Sequence, residues 1–222
     1  MVSSRARVAV GVAVLLASSV AQLLQFALTP MLLSAGDAGA QVEAVVGHEP
    51  AMRLAIWLDV PILLLIPAVL YVGYVAGART SRLAASGVVA AFTTALGAGY
   101  LLGTDVLVYL AAQASDRAGA LELLSAYESD EVVVLMLVLS VLGGLAGFVL
   151  LGAALMRAGT VSVWAGAAVA ASPVLEIIGN ATGLVPVGVA GFALRAAGFA
   201  ACAAALVRLG RAAAAEQQKI AA

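Results

Sequence analysis

Apolar residues fall into six long blocks, at about 8–30, 52–77, 84–110, 132–156, 161–179 and 184–207, with polar residues concentrated between them. A helix needs roughly 20 such residues to cross a hydrocarbon layer of about 30 Å, and each block meets that length. The pattern predicts an all-α membrane protein, a compact bundle of six transmembrane helices forming a single polytopic domain over residues 1–222. Asp, Glu or Arg interrupts four of the blocks, so their ends are the least certain feature. The connections alternate in length: segments 31–51 and 111–131 are long and acidic, whereas "ARTSR" and "RAGT" are short. Within 111–131, Ala120, Leu124 and Tyr127 recur at helical spacing, which fits a short helix on the membrane surface or an ordinary solvated loop with a helical turn. The tail "RAAAAEQQKIAA" is rich in helix formers and should prolong the last helix.

Composition agrees with a lipid solvent. With 64% hydrophobic and 10% charged residues, the chain has more apolar surface than a water-soluble core of this size can hide. The net charge of −1 says little, but its distribution orients the chain. Arg5, Arg7, Arg79, Arg82, Arg157, Arg208, Arg211 and Lys219 all fall on one side of six alternating helices. Asp37, Glu43, Glu49, Asp116, Glu122, Glu128, Asp130 and Glu131 fall on the other. Basic residues beside short loops stay in the cytoplasm, so both the N and C termini are expected there. A competing reading takes Arg5, Arg7 and "VAVGVAVLLASSVA" as a secretory signal cleaved after Ala21, although the apolar run continues through "QLLQFALTPMLL" to a full span. Trp57 and Trp164 read as anchors at the membrane interface.

Helices in lipid gain little from apolar burial against one another, so small residues that let backbones approach mark the inward faces. Gly188, Gly191, Gly198 and Cys202 form such a stripe on the last helix, Gly99 and Gly103 a pair on the third, and Ser140, Gly144 and Gly147 a face on the fourth. Arg195 shares the face of Gly188 and Gly191 and should point into the bundle. Glu176 stacks with Ser172 and Asn180 at steps of four, and Ser18, Gln22, Gln25 and Thr29 make one polar seam on the first helix. Asp59 shares a face with Ile66 and Gly73 and has no polar neighbour on its own helix. At about 1.5 Å of rise per residue, Glu176, Asp105 and Asp59 lie roughly 6–9 Å below the outer helix ends. Arg195 lies roughly 16 Å down, with a stem that can reach upward.

Asp59, Asp105, Glu176, Arg195, Gln22, Gln25 and Asn180 are therefore the candidate site, a polar cluster beneath the outer surface. A lone charge at the bilayer centre costs at least ~2.5 kcal/mol, so these groups should find partners or water. One arginine cannot neutralise three carboxylates, even if Arg53 at the rim assists. At least one acid should hold a proton or a cation. The first reading is a structural or interaction role, an ion-pair and hydrogen-bond network that fixes helix register. Alternatives are a small-molecule or cation site, with or without proton coupling, and a membrane-embedded enzyme. Pro61, Pro67 and Pro173 would bend their helices and free carbonyls, which suits a cavity.

The stretches "LDVPILLLIP", "ARTSRLA" and "LLGAALMRAGTVSVWAG" resemble a family of uncharacterised six-helix integral membrane proteins from high-GC bacteria, a domain of unknown function. The resemblance covers most of residues 50–205. It implies the six-helix topology and a multi-pass protein of the bacterial cytoplasmic membrane, and it carries no catalytic residues. A carrier built from inverted repeats fits poorly, because Asp59 and Glu176 both lie on the outer side of the midplane. A prenyl-chain cyclase would use a buried acid as proton donor, but with 5% aromatic residues the chain offers few rings to line such a site. The single His48 and single Cys202 exclude a histidine metal cluster and an internal disulfide. Asn180-Ala181-Thr182 matches a glycosylation acceptor but sits almost at the membrane. No metal, cofactor or nucleic-acid motif is present, which leaves the lipid bilayer, a homo-oligomer or another membrane protein as partners.

Overall fold

The computed structural model describes residues 4–30 and 37–221, and among these residues the chain is helical with short turns. Nine helices follow in order: α1 (Ser4–Leu28), α2 (Ala38–Val45), α3 (Glu49–Ile62), α4 (Leu65–Phe92), α5 (Thr94–Gln113), α6 (Arg117–Ser129), α7 (Glu131–Ala158), α8 (Val163–Thr182) and α9 (Val185–Ala221). Four of them, α1, α7, α8 and α9, are long and apolar enough to cross a membrane, and the bent pair of α3 and the first part of α4 makes a fifth if taken as one span. Residues 31–36, the first six of the connection expected over 31–51, lie outside the described residues.

Local chemistry sets the boundaries. The Asp130 carboxylate accepts from Val132 N at 2.9 Å and Val133 N at 3.2 Å, starting α7. Gly159 then ends it in the left-handed region at φ 65°. Ser162 caps α8 by accepting from Ala165 N at 3.3 Å, and Gly183 at φ 68° ends it. These caps satisfy backbone groups that a helix end leaves free, and they turn α7, α8 and α9 into successive antiparallel neighbours. Gly152 of α7 lies against the Gly166–Ala170 backbone of α8, and Gly191 of α9 against Ser172 and Glu176 of α8. Here the absent Cβ lets helix axes close together.

The block expected over 52–77 is not one straight helix. Pro61 lacks an N–H and Pro67 follows, so hydrogen bonding loosens at Leu63–Leu64 and the axis bends by 44°. The short connection expected at "ARTSR" is there, as a corner of one non-helical residue, Thr80, at φ −137° and ψ 39°. Gly73 lies against Val88. In a straight helix these residues would be about 22 Å apart. The chain therefore doubles back at Thr80, and α4 is a tight helical hairpin. Thr80 Oγ1 holds the corner by donating to Ala76 O at 2.7 Å.

The block expected over 84–110 is likewise interrupted, at Thr93 between α4 and α5. Thr93 Oγ1 donates to Ala90 O at 2.8 Å and to Leu139 O at 3.1 Å on α7. Gly87 meets Leu151, Ala91 meets Gly147 and Gly97 meets Ser140, so 81–113 runs antiparallel to α7 as a broken rod. The tail prolongs the last helix as its helix formers predict: at 37 residues, α9 is about 55 Å long.

Two apolar cores result. The larger is made by α1, α4, α7, α8 and α9 around Leu15, Val72, Phe148, Leu151 and Phe199. The smaller lies at the other end, where Val42 and Val45 of α2, Met52 of α3, Val108 of α5 and Leu124 of α6 meet. Of the two readings of 111–131, the helical one holds, as α6. It joins α2 in a cap over the bundle, because Leu124 finds Val42, Val45 and Val108 to pack on. Gln41 Nε2 donates to Glu128 Oε1 at 2.9 Å, and Arg117 pairs with Glu43 at 3.5 Å across the cap. Leu135, Val138 and Leu142 on α7 remain exposed, as a lipid-facing surface requires.

Candidate functional site

A polar layer separates the two cores. On α1, Leu15 belongs to the large core; the next turns carry Ser18, Gln22, Gln25 and Thr29, all buried. On α3 the cap residue Met52 is followed two turns later by Asp59, and on α5 Asp105 precedes the cap residue Val108 by one turn. Asp59, Asp105, Glu176 and Arg195 are between 0% and 8% exposed, so the bundle buries all four ionisable groups.

Within the layer the groups sort into two sets. In the first, Arg195 on α9 donates from Nη1 to Gln22 Oε1 at 2.9 Å and from Nη2 to Glu176 Oε2 on α8. Its guanidinium also lies 4.4 Å from the Phe148 ring centre and 5.4 Å from that of Phe192. The planar cation suits this role, with donors in its plane and apolar faces for rings. Three helices and a ring from a fourth, α7, thus converge on one side chain.

The second set has no cation among the described residues. Gln25 Nε2 donates to Asp105 Oδ2 at 3.2 Å. Asp105 Oδ1 and both carboxyl oxygens of Asp59 accept from no donor among the described residues. The two carboxyl groups are side-chain neighbours with no hydrogen bond between them. Two ionised carboxylates offer each other no donor. Arg53, the basic residue of α3, is exposed and forms no ion pair with them among the described residues. Gln22 and Gln25, one turn apart on α1, join the two sets.

A cavity of about 60 Å³ adjoins the layer where the breaks at Leu63 and Thr93 meet, lined by Gln22, Ile62, Ile66, Thr94, Gly97 and Ser140. It has room for a water and polar groups to bind one. Ile62 sits one helical turn from Asp59. Among the described residues no three His, Cys, Asp or Glu side chains gather as a metal site would require.

Six of the seven sequence-derived residues occupy this layer. Asn180 does not: it is exposed, and its Nδ2 caps its own helix by donating to Glu176 O at 2.8 Å. Step-of-four spacing put it on the Glu176 face, but one further turn carries it beyond the bundle. Gly99 of the expected Gly99–Gly103 pair lies among residues whose side-chain surroundings are not described, whereas Gly103 faces the Tyr127 hydroxyl at 2.5 Å from where a Cβ would sit. Sequence reasoning missed Phe148 and Phe192. Phe192, three residues before Arg195, was detectable by helical spacing; Phe148 is brought in by α7 alone. Cys202 is wholly buried against the large core. No family profile, no curated protein and no solved structure matches the chain.

Proposed function

We propose that this chain is a six-span protein of the bacterial cytoplasmic membrane, of the uncharacterised type its sequence resembles, with both termini cytoplasmic. Its outer half carries a carboxyl pair, Asp59 and Asp105, that binds a proton or a monovalent cation. The broken rod 81–113 supplies the sixth crossing in this reading. The acidic caps gather at one end with α2 and α6, and Arg7, Arg157, Arg208 and Arg211 at the other, which supports the orientation.

The two sets in the polar layer have different work. Arg195 binds Gln22 and Glu176 through its two Nη groups, leaving its Nε and Glu176 Oε1 without a partner among the described residues, and so ties α9, α8 and α1 in register. Asp59 and Asp105 are surplus to that network. The carrying observation is that Asp59, 5% exposed, offers two oxygens that no donor among the described residues meets. Two bare carboxylates facing each other inside a bundle would repel in a medium that solvates neither. A proton or small cation between them removes the repulsion, and exchange of that ion through the polar layer is the activity.

The test uses Asp59→Asn and Asp105→Asn, singly and together. Infrared difference spectra on exchanging pH or sodium should show a carboxyl signal in the parent protein that each single variant alters and the double variant lacks. Vesicles containing the parent should pass protons or sodium faster than the double variant. The double variant should still reach the membrane folded, since two amides can hydrogen-bond each other. A purely structural pair gives the opposite pattern: no ion-dependent carboxyl signal and a double variant that fails to fold.

A further inference from the structure

At the end opposite the cap, the first turns of α1 and the last turns of α9 run side by side, with Val8 against Gly210. Two troughs flank this contact. One, about 560 Å³, is walled by Pro67, Leu70, Tyr71, Tyr74 and Leu206, with Arg7 and Gln217 also in its lining. The other, about 750 Å³, is walled by Val12, Ala13 and Val207, with Arg211 and Gln218 also in its lining. Each is a mostly apolar trough that carries one arginine and one glutamine. The arginines are not used elsewhere: neither forms an ion pair among the described residues, whereas nearby Arg208 donates to Thr160 O at 2.9 Å. Glu216 is the one acidic residue in either flanking segment, 4–13 or 206–221, against Arg5, Arg7, Arg208, Arg211 and Lys219.

We propose that these troughs bind two anionic phospholipids of the leaflet that meets this end of the bundle, one phosphate on Arg7 and one on Arg211, with an acyl chain in each slot. Charge complementarity selects the occupant. A guanidinium pairs with a phosphate through two parallel N–H bonds, and basic pockets between membrane helices on the cytoplasmic side suit anionic headgroups. A neutral partner helix would leave both lining arginines unpaired. A zwitterionic lipid offers the same phosphate beside a cation of its own, so it should bind more weakly. The inference rests on the membrane reading above and is independent of the Asp59–Asp105 pair.

Purified full-length protein in detergent is titrated with phosphatidylglycerol or with phosphatidylcholine of the same acyl chains, and bound lipids are counted by native mass spectrometry. Two phosphatidylglycerol molecules should be retained in preference to phosphatidylcholine. Arg7→Gln and Arg211→Gln should each weaken one of the two sites about fivefold, the worth of one basic residue at an anionic surface. Equal retention of the two lipids, or single variants that change nothing, overturns the proposal, as does displacement of the lipid by millimolar inorganic phosphate. Extraction of the protein from membrane fractions is scored separately. A chain found in the soluble fraction refutes the membrane reading, and an integral chain without lipid preference refutes this inference alone.

Discussion

Replacing Arg195 by alanine probes the centre of the bundle. The side chain is 4% exposed, and its removal strands Glu176, which is 8% exposed, together with the Gln22 carbonyl. Breaking a buried ion pair from one side costs about 3–5 kcal/mol, because the remaining charge is left without a partner. Loss of the guanidinium from the Phe148 and Phe192 rings adds about 0.5–2 kcal/mol. Partners available to polar groups in the membrane-inserted unfolded state offset part of this, since hydrogen bonds between membrane helices average only about 0.6 kcal/mol. A net loss of about 3 kcal/mol is expected, roughly a hundredfold in the folding constant. The assay is a double-mutant cycle on SDS-induced unfolding in mixed micelles, with Arg195→Met, Glu176→Gln and the pair together. Removing both charges leaves neither stranded, so the double variant should be more stable than the sum of the singles by about 2 kcal/mol. Strict additivity, within about 0.5 kcal/mol, would mean the two side chains act independently and would refute the network.

Two further perturbations test the packing and the topology. A Cβ added at Gly152 would come 2.5 Å from Gly166 O and 2.7 Å from Ala170 N, so Gly152→Ala must push α7 from α8 and should cost about 1–3 kcal/mol. At Gly77 nothing lies within 4 Å, and Gly77→Ala should stabilise by up to about 1 kcal/mol; the same unfolding assay compares them. Because the sole native thiol, Cys202, is wholly buried, single cysteines report sidedness cleanly. In intact cells a membrane-impermeant thiol reagent should label Ser129→Cys on the cap and spare Ser81→Cys beside the Thr80 corner until the cells are opened. Labelling of both in intact cells would reject the alternating topology.

The helical class and the apolar crossings were legible because a lipid solvent writes them into composition. Every residue of a span must be apolar or have a reason not to be, so Asp59, Asp105, Glu176 and Arg195 stood out as four exceptions. Periodicity placed Arg195 on the glycine face of α9 and Gln22 and Gln25 on one seam of α1, since both are properties of a single helix. The short connection at "ARTSR" was legible too, and the chain turns there at Thr80. Pattern could not tell where a helix breaks inside an apolar block: the step at Thr93 carries no glycine and no proline, and is held by its own hydroxyl and by α7 packed alongside. The cap was half visible, as helical spacing in α6 without the surface of α2 and α5 that receives it.

Which acid would take the arginine was not written in the sequence at all. Three carboxylates lie at similar depth, and the choice among them depends on distances between helices. Tertiary structure decided it by seating α8 against α9 through Gly191, which brings Glu176 to Arg195, and by setting α3 and α5 together beyond reach of that cation. One-dimensional pattern fixes which face of a helix is polar, because that depends on 100° of turn per residue. Which polar faces meet depends on how closely backbones approach, and only the folded bundle sets that.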